Sequence, residues 1–595
     1  SEIEKPGARD LMDIINLIPG FRFAGEVVEF VGLSSRGIWA AEGKILVLLD
    51  GVEMNETLYG YVPYGNHIPA EMIEQIEIIR GPGSAMYGGN SEMAVIKITS
   101  RNIDKKGTEV FVHGTLSTND GELSYRRTGG LYHKSDDWNV SLFTSGFRGN
   151  RSNEMQEGIY GASYDMSSDS EISPELVNIG CNYKDLNVRY IYDRYEYKMR
   201  NYYSIKSDLR EERFNSELLL VDYDFKIKDI WTLVPKFTMK KHPTWQNWGD
   251  VVRYNTVGTR FTYNLTNKVK LKNDSLLVFG YEMYDDKGEA LDQATNSQPE
   301  GKYYFDNSNK VSHRNQSLFV QYETETKYGD LALGARYEDH SFAGEDFVPR
   351  FALTRLWDSF HLKLLAAQAF RTPNIDNIMY NEDLVKAGSA DTLVSEKTTT
   401  FEIEGGYLFS EKIMWTSNFF HVTIDDPIYY TYDGDGNGGY DNGEAVSSFG
   451  LETELRVVPS WGDLKLRYGT YIADKQGVPT WRPGDDDDQN VGLPHHQIAL
   501  DVTYNTSSRS SLNLNGFITT KSKSYGGKGD STLVDFDGET ILNIYWQYTH
   551  KKFKGGIGIS DLLNTKEFIK PAYLSYQSGI PQMGREFYLR LGLTF

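Results

Sequence analysis

The chain is poor in the features that mark several common protein classes. One cysteine, Cys181, stands in 595 residues, which excludes an intramolecular disulfide framework and any cysteine-based zinc site. Positive charge is short as well. Lys and Arg total 62 against 83 Asp and Glu, a net charge of −21, where nucleic-acid binding needs a basic face. Long apolar runs are missing: "ILVLLD" at 45–50 is typical, far below the ~20 residues of a membrane-spanning helix. No signal peptide opens the sequence, as expected of a mature or trimmed chain. A mean hydropathy of −0.49 would suit a soluble protein. It does not exclude a transmembrane β-barrel, because alternating strands average to a polar composition.

What is abundant is aromatic: 40 Tyr, 29 Phe and 10 Trp. The length predicts several domains or one very large closed architecture. Two textures divide the chain near residue 102. In 1–102, "DLMDIINLIPG" (10–20) sets Leu11, Ile14, Ile15 and Ile18 at helical spacing before Pro19-Gly20. "KILVLLDGV" (44–52) predicts a buried strand entering an Asp-Gly turn. "AEMIEQIEIIRGPGSAMYGG" (70–89) predicts a helix, a strand and a glycine-punctuated turn, and "AVIKITS" (94–100) another strand. From 103 to 595 helical periodicity disappears, and period-two stretches of about ten residues follow one another. "SLFVQYETETKYGDLALGARYE" (317–338) is a predicted hairpin, and the chain closes with Phe587, Leu589, Leu591, Leu593 and Phe595 on one face and Tyr588, Arg590, Gly592 and Thr594 on the other. Short turns alternating with long polar loops, tyrosines near strand ends and an arginine opposite a wholly apolar face favour an outer-membrane barrel over a soluble β protein.

Residues 36–101 resemble the plug of a TonB-dependent outer-membrane receptor, in "SRGI", "LVLLDGV", "IEQIEIIRGPGSAMYGGN" and "AVIKITS". In the barrel half, "AQAFRTPN" (367–374), "TFEIEGGY" (400–407), "FGLETELR" (449–456) and "DLLNTKEF…GREFYLRLGLTF" resemble the same family. The resemblance implies a barrel of about 22 antiparallel strands over 103–595 with an α+β plug, 1–102, in its lumen. It implies an active transporter in the outer membrane of a Gram-negative bacterium, not an enzyme. The expected cargo is a scarce bulky solute, a metal chelate such as a ferric siderophore or haem, or a cobalamin-like cofactor. Haem is one candidate among these, since Thr372 replaces the usual Ala and "SADTLVSE" (389–396) lacks the Asn-Pro-Asp-Leu element. TonB is an expected partner if a coupling segment stands upstream of "SEIEKPGARDL". The competing reading is a non-transporting plugged barrel that serves as a scaffold or partner subunit of an envelope complex, with surface or envelope proteins as partners.

Alternation assigns Glu452, Glu454 and Arg456 to the lumen, since charge facing lipid is costly. Arg36 and Arg80 of the plug are then expected partners for Glu402, Glu404, Glu452 or Glu454, a lock that the resemblance supports; the plainer alternative is that these glutamates line a wet lumen. "ETLYGYVPYGNHIP" (56–69) is the ligand candidate, because the family places such plug loops toward the external cavity. Tyr59, Tyr61, Tyr64 and His67 would offer aromatic faces and one imidazole, or else pack the plug against the wall. "RGPGSAMYGG" lacks the lysine and spacing of a phosphate loop. No catalytic constellation and no redox cofactor is predicted.

"DGDGNGGYDNGE" (433–444) matches a twelve-residue calcium loop at every ligand position. Its flanks read as strands, so the helix–loop–helix fold is excluded. Asp433, Asp435, Asn437, the Gly439 carbonyl, Asp441 and Glu444 could still wrap one Ca2+. A hydrophilic hairpin tip, favouring the same residues for turn reasons, stands against that.

Overall fold

The computed structural model describes all residues except 1–2, 27–28, 158–162, 201–208, 249–252, 292–307, 434–437, 474–477, 479–480, 482–487, 526–531 and 573–578. Twenty-two long antiparallel strands, from Gly107–Asn119 to Glu586–Thr594, close into a barrel. The final strand seals it against the first, with Leu589 opposite Leu116 and Leu591 opposite Gly114. Connections at one end are short, such as 327–328, 411–412 and 508–509; at the other, long ones such as 372–395 and 561–585 predominate. The two-face pattern expected of the final strand is realised. Phe587, Leu589, Leu591 and Leu593 are exposed on the outer wall, whereas Tyr588 and Arg590 are buried in the lumen. The same alternation repeats around the wall, leaving an apolar outer belt. Among the described residues no helix is long and apolar enough to cross a membrane.

The plug fills the lumen. Its core sheet has Ala94–Ser100 paired parallel with Ile45–Leu49 and antiparallel with Ile73–Arg80, and Val52–Glu53 at the other edge. Val47, Val95 and Ile96 are fully buried there. A second sheet joins Phe21–Gly25, Val31–Ser35 and Ile38–Trp39. Asp10 caps the first helix, its carboxylate accepting the Met12 and Asp13 amides, but that helix runs only from Leu11 to Ile15.

Two expectations need correction. The helix predicted near residue 70 is a single 3-10 turn, Ala70–Met72, and the strand begins at once with Ile73. Ile73, Ile76, Ile78 and Ile79 are β-branched, which favours extended backbone over helix. Conversely, the barrel half does hold a helix, Ile375–Ala387, on a long connection. Asn374 and Asn377 form its capping box and Gly388, at φ 73°, ends it.

Candidate functional site

The lock region starts from a tight turn. Arg36 (φ 53°) and Gly37 (φ 78°) join Val31–Ser35 to Ile38–Trp39, the backbone signs of a type I′ hairpin. A Cβ on Gly37 would lie 2.1 Å from the Tyr471 ring, so only glycine lets the turn approach the wall this closely. The turn delivers Arg36 to three adjacent strands, Glu396–Ser410, Ile413–Asp425 and Val446–Val457. Register sets Glu402 opposite Phe420 and Asn418 opposite Glu452. Arg36 donates to Glu402 (2.8 Å) and to both oxygens of Glu452 (3.3 and 3.4 Å), and its guanidinium lies 4.3 Å from the Phe420 ring centre. Arg80 reaches Glu452 at 2.7 Å, and Asn418 donates to the second oxygen of Glu402. Arg36, Glu402 and Glu452 are all buried. The opposed charges hold the Arg36 guanidinium protonated against burial, which by itself would favour the neutral form.

Glu404 and Glu454 do not join them. Each sits two residues further along its strand, nearer the short-turn end, where Glu404 faces His361 (3.3 Å) and Glu454 takes Arg467 (2.5 Å). Alternation gives a residue its face but not its depth.

A second buried cluster carried no sequence expectation. Lys44 of the plug meets Glu396 at 2.5 Å, and Arg371 pairs with the same carboxylate. Thr398 donates to Glu92, and Arg371 also reaches Asn377 of the helix. Burial, together with the neighbouring Glu396 charge, pushes the Glu92 carboxyl up to about 8. Arg371 belongs to the "FRTPN" box, the one sequence signal that pointed here. Further plug–wall pairs ring the lumen: Arg22 with Glu539 and Glu567, Asp50 with Arg189, Glu53 with Lys240, and Glu71 with Arg590.

The segment 56–69 does reach the long-loop side, but its rings are turned inward. Tyr61, Tyr64 and His67 are buried. Tyr59 packs on Tyr61, Trp245 and Tyr440, and Tyr64 packs on Phe23. His67 faces the Pro63 carbonyl (2.9 Å) through Nδ1 and the Asp193 carboxylate (2.7 Å) through Nε2. Both partners are acceptors, so both ring nitrogens must donate, leaving no lone pair for haem or a metal. Burial opposes that charge, but Asp193 outweighs it and raises the His67 pKa. All four expected ligand side chains make packing contacts here, with Tyr59 half-buried and the other three buried. The residues between them do better: Gly65 and Asn66 line a chamber of about 110 Å3 on the plug's long-loop side, with Arg9 and Asp13 of the plug and Arg151 and Gln582 of the wall.

The calcium candidates are spread out. Ile428–Tyr432 and Gly438–Asn442 form a hairpin in which Asp441 lies opposite Tyr429. Asp433 is four residues beyond Tyr429, roughly 13 Å along the strand, whereas ligands of one ion at 2.3–2.6 Å must lie side by side. Asp441 accepts its neighbour's amide at Asn442 and Glu444 is exposed. Asp435 and Asn437 lie outside the described residues. Among the described residues no group of three acidic, His or Cys side chains is placed to hold a metal, and the described part of the stretch is a hairpin with Asp433 and Asp441 far apart along it.

The family model described as "TonB dependent receptor-like, beta-barrel" matches residues 111–561, and that of the "TonB-dependent Receptor Plug Domain" matches 1–95. The chain belongs to the TonB-dependent receptor family. This receptor is 30% identical over 129 residues to the vitamin B12 transporter BtuB of Vibrio vulnificus, covering 21% of each chain. It is 22% identical over 454 residues to the probable TonB-dependent siderophore receptor PirA of Acinetobacter baumannii, covering 63% of this chain and 57% of that one. The matches thus span from about a fifth to under three fifths of these relatives' lengths. In structure, it resembles the ferric enterobactin receptor PfeA of Pseudomonas aeruginosa at a TM-score of 0.78 with 16% identity, covering 99% and 96% of the two chains. The siderophore receptor PirA of A. baumannii follows at 0.76 with 15% identity over 99% and 96%. At such identities the likeness establishes the fold.

Proposed function

We propose that this receptor is an energy-coupled outer-membrane transporter in a Gram-negative bacterium, taking a bulky metal chelate or cobalamin-like cofactor from the long-loop side. The observation that carries the reading is the character of the plug–wall contact: Arg36 and Arg80 with Glu402 and Glu452, and Lys44 with Glu396, join plug to wall by largely buried ion pairs. An apolar seal would resist separation at every step. Ion pairs lose their attraction when parted but regain hydration, so a pulled plug has a wetted intermediate available. Ligand settling on the chamber would touch plug and wall together, through Arg9 and Asn66 on one side and Arg151 and Gln582 on the other. The relatives' printed names, a vitamin B12 transporter and a probable siderophore receptor, support the cargo class. The energy would come through TonB acting on a segment upstream of the plug. No observation on this chain favours the scaffold reading.

The test is uptake in cells with and without the gene, using radiolabelled catecholate and hydroxamate iron complexes, haem and cobalamin, with and without a protonophore. Energy-dependent accumulation of one of these, lost with the gene, is the expected result. Unchanged uptake of all of them would overturn metal-chelate and cobalamin transport.

A further inference from the structure

The two ends of the barrel differ in charge. In sequence, the connections between barrel strands at the long-loop end hold 31 Asp and Glu against 13 Lys and Arg, whereas those at the short-turn end hold 8 against 9. Most of the chain's net charge of −21 therefore sits on the side from which cargo would enter. A mouth of one sign gathers solutes of the opposite sign and speeds their association, an effect that salt screens.

The chamber on that side has the same bias. Asp10, Asp13, Asp561, Glu567 and Glu586 line it, with Arg9 and Arg151 as the cations of its described lining. Both cations are already engaged. Arg9 donates to Asp13 (2.9 and 3.0 Å) and pairs with Glu586, and Arg151 donates to the carbonyl (2.7 Å) and carboxylate (3.1 Å) of Glu29. An anion entering here would have to compete with those carboxylates. Asp561 rests on the Thr565 and Lys566 amides (3.0 and 2.9 Å) rather than on a cation.

A neutral group adds an independent sign. Asn16 lines the same chamber and is 8% exposed, and its Oδ1 has no hydrogen-bond partner among the described residues. A buried acceptor calls for a donor. Met12, Leu17 and Ile541 complete the lining and suit the apolar stem of a group whose tip is charged. At about 110 Å3 the chamber is far smaller than the ~300–1,000 Å3 pocket of a whole ligand, so it admits one arm of a bulky solute.

We infer that the cargo is a metal chelate bearing an ammonium-type arm, which enters this chamber, donates to Asn16 and is balanced by the surrounding carboxylates. A trianionic catecholate complex is refused at the same mouth. The inference rests on the transport reading and narrows its cargo.

The test is surface plasmon resonance on the purified full receptor, at low and high salt, with three probes: a ferric trihydroxamate with a free ammonium arm, the same complex with that amine acetylated, and a ferric tris-catecholate. The ammonium complex should bind about tenfold more tightly than its acetylated twin, as a hydrogen bond to a charged group allows, and the catecholate should not bind. Salt should slow association of the ammonium complex and leave the twin unchanged. Asn16→Leu and Glu586→Gln should each bring the twins to within about twofold; the second variant leaves Arg9 its Asp13 partner and carries the test if the first does not fold, as checked by circular dichroism. Equal affinity for the twins, tightest binding of the catecholate, a preference that survives in both variants, or no binding of any probe would each overturn the inference. Uptake of haem and cobalamin, measured alongside, decides whether the transport reading fails with it.

Discussion

The two faces of one barrel wall obey different rules. In Val446–Val457, Phe449 is exposed on the outer belt while Glu452 is buried against Arg36 and Arg80. Outside, the surroundings are a fluid that accepts any apolar side chain of suitable reach. Inside, charges at the plug's depth such as Glu402 and Glu452 have named counterparts on the plug. Specificity in this receptor therefore lives on alternate residues, and neighbouring positions should respond to substitution in different ways.

The largest separation of the two faces should come from Arg36→Ala. It strips one buried cation from Glu402 and Glu452, at a cost of about 3–5 kcal/mol, read as earlier thermal loss and proteolysis of the plug in detergent. Replacing Arg36, Glu402 and Glu452 together with neutral residues should cost less than the single change, because no buried charge is stranded. If Arg36→Ala proved as mild as an outward Leu→Ala, the contrast would collapse. Leu591→Arg probes the other face: near the middle of the closing strand it should cost ~2–4 kcal/mol, measured by unfolding in lipid vesicles, while leaving ligand affinity alone.

A smaller effect concerns pH. Glu92 faces Glu396, Lys44, Arg371 and Thr398, and its carboxyl, normally near 4.5, is pushed up to about 8 in the folded receptor. A raised folded value means that the folded state holds the proton more tightly. That stabilisation is complete below the unfolded value and is lost as pH rises through about 8. The plug's thermal midpoint should fall between pH ~5 and ~9, and Glu92→Gln should flatten the slope; an unchanged slope would remove Glu92 from the account. The smallest effect is expected at the hairpin. Asp433→Ala with Asp435→Ala should leave calcium binding by calorimetry, and ligand affinity, unaltered.

The barrel was legible because period-two alternation needs no tertiary information: the outward Leu589, Leu591 and Leu593 and the inward Arg590 could be assigned from spacing alone. The pairing of Arg36 and Arg80 with Glu402 and Glu452 was partly legible, since resemblance suggested the plug arginines and alternation the lumen glutamates. Depth was not, which is why Glu404 and Glu454 were included. Side-chain direction in a loop is less visible still. The stretch 56–69 was located on the correct side, but nothing in "YGYVPYGNH" says that the tyrosines turn inward and leave Asn66 at the chamber. The helix Ile375–Ala387 was missed despite its signals, Asn374 before it and Gly388 after it, because it is a single short element within hundreds of alternating residues. Lys44 and Glu396 lie 352 positions apart, with no local pattern to join them.

The closing strand has a consequence for assembly. Tyr588 donates to the Gly7 carbonyl, Arg590 donates to the Ala8 carbonyl and pairs with Glu71, and Glu586 receives Arg9. The strand that zips the cylinder shut is thus also written against the opening residues of the plug. In an empty cylinder Arg590 would face water, whereas around the plug it is held by the Ala8 carbonyl and Glu71. Barrel closure and plug seating thus draw on the same few residues.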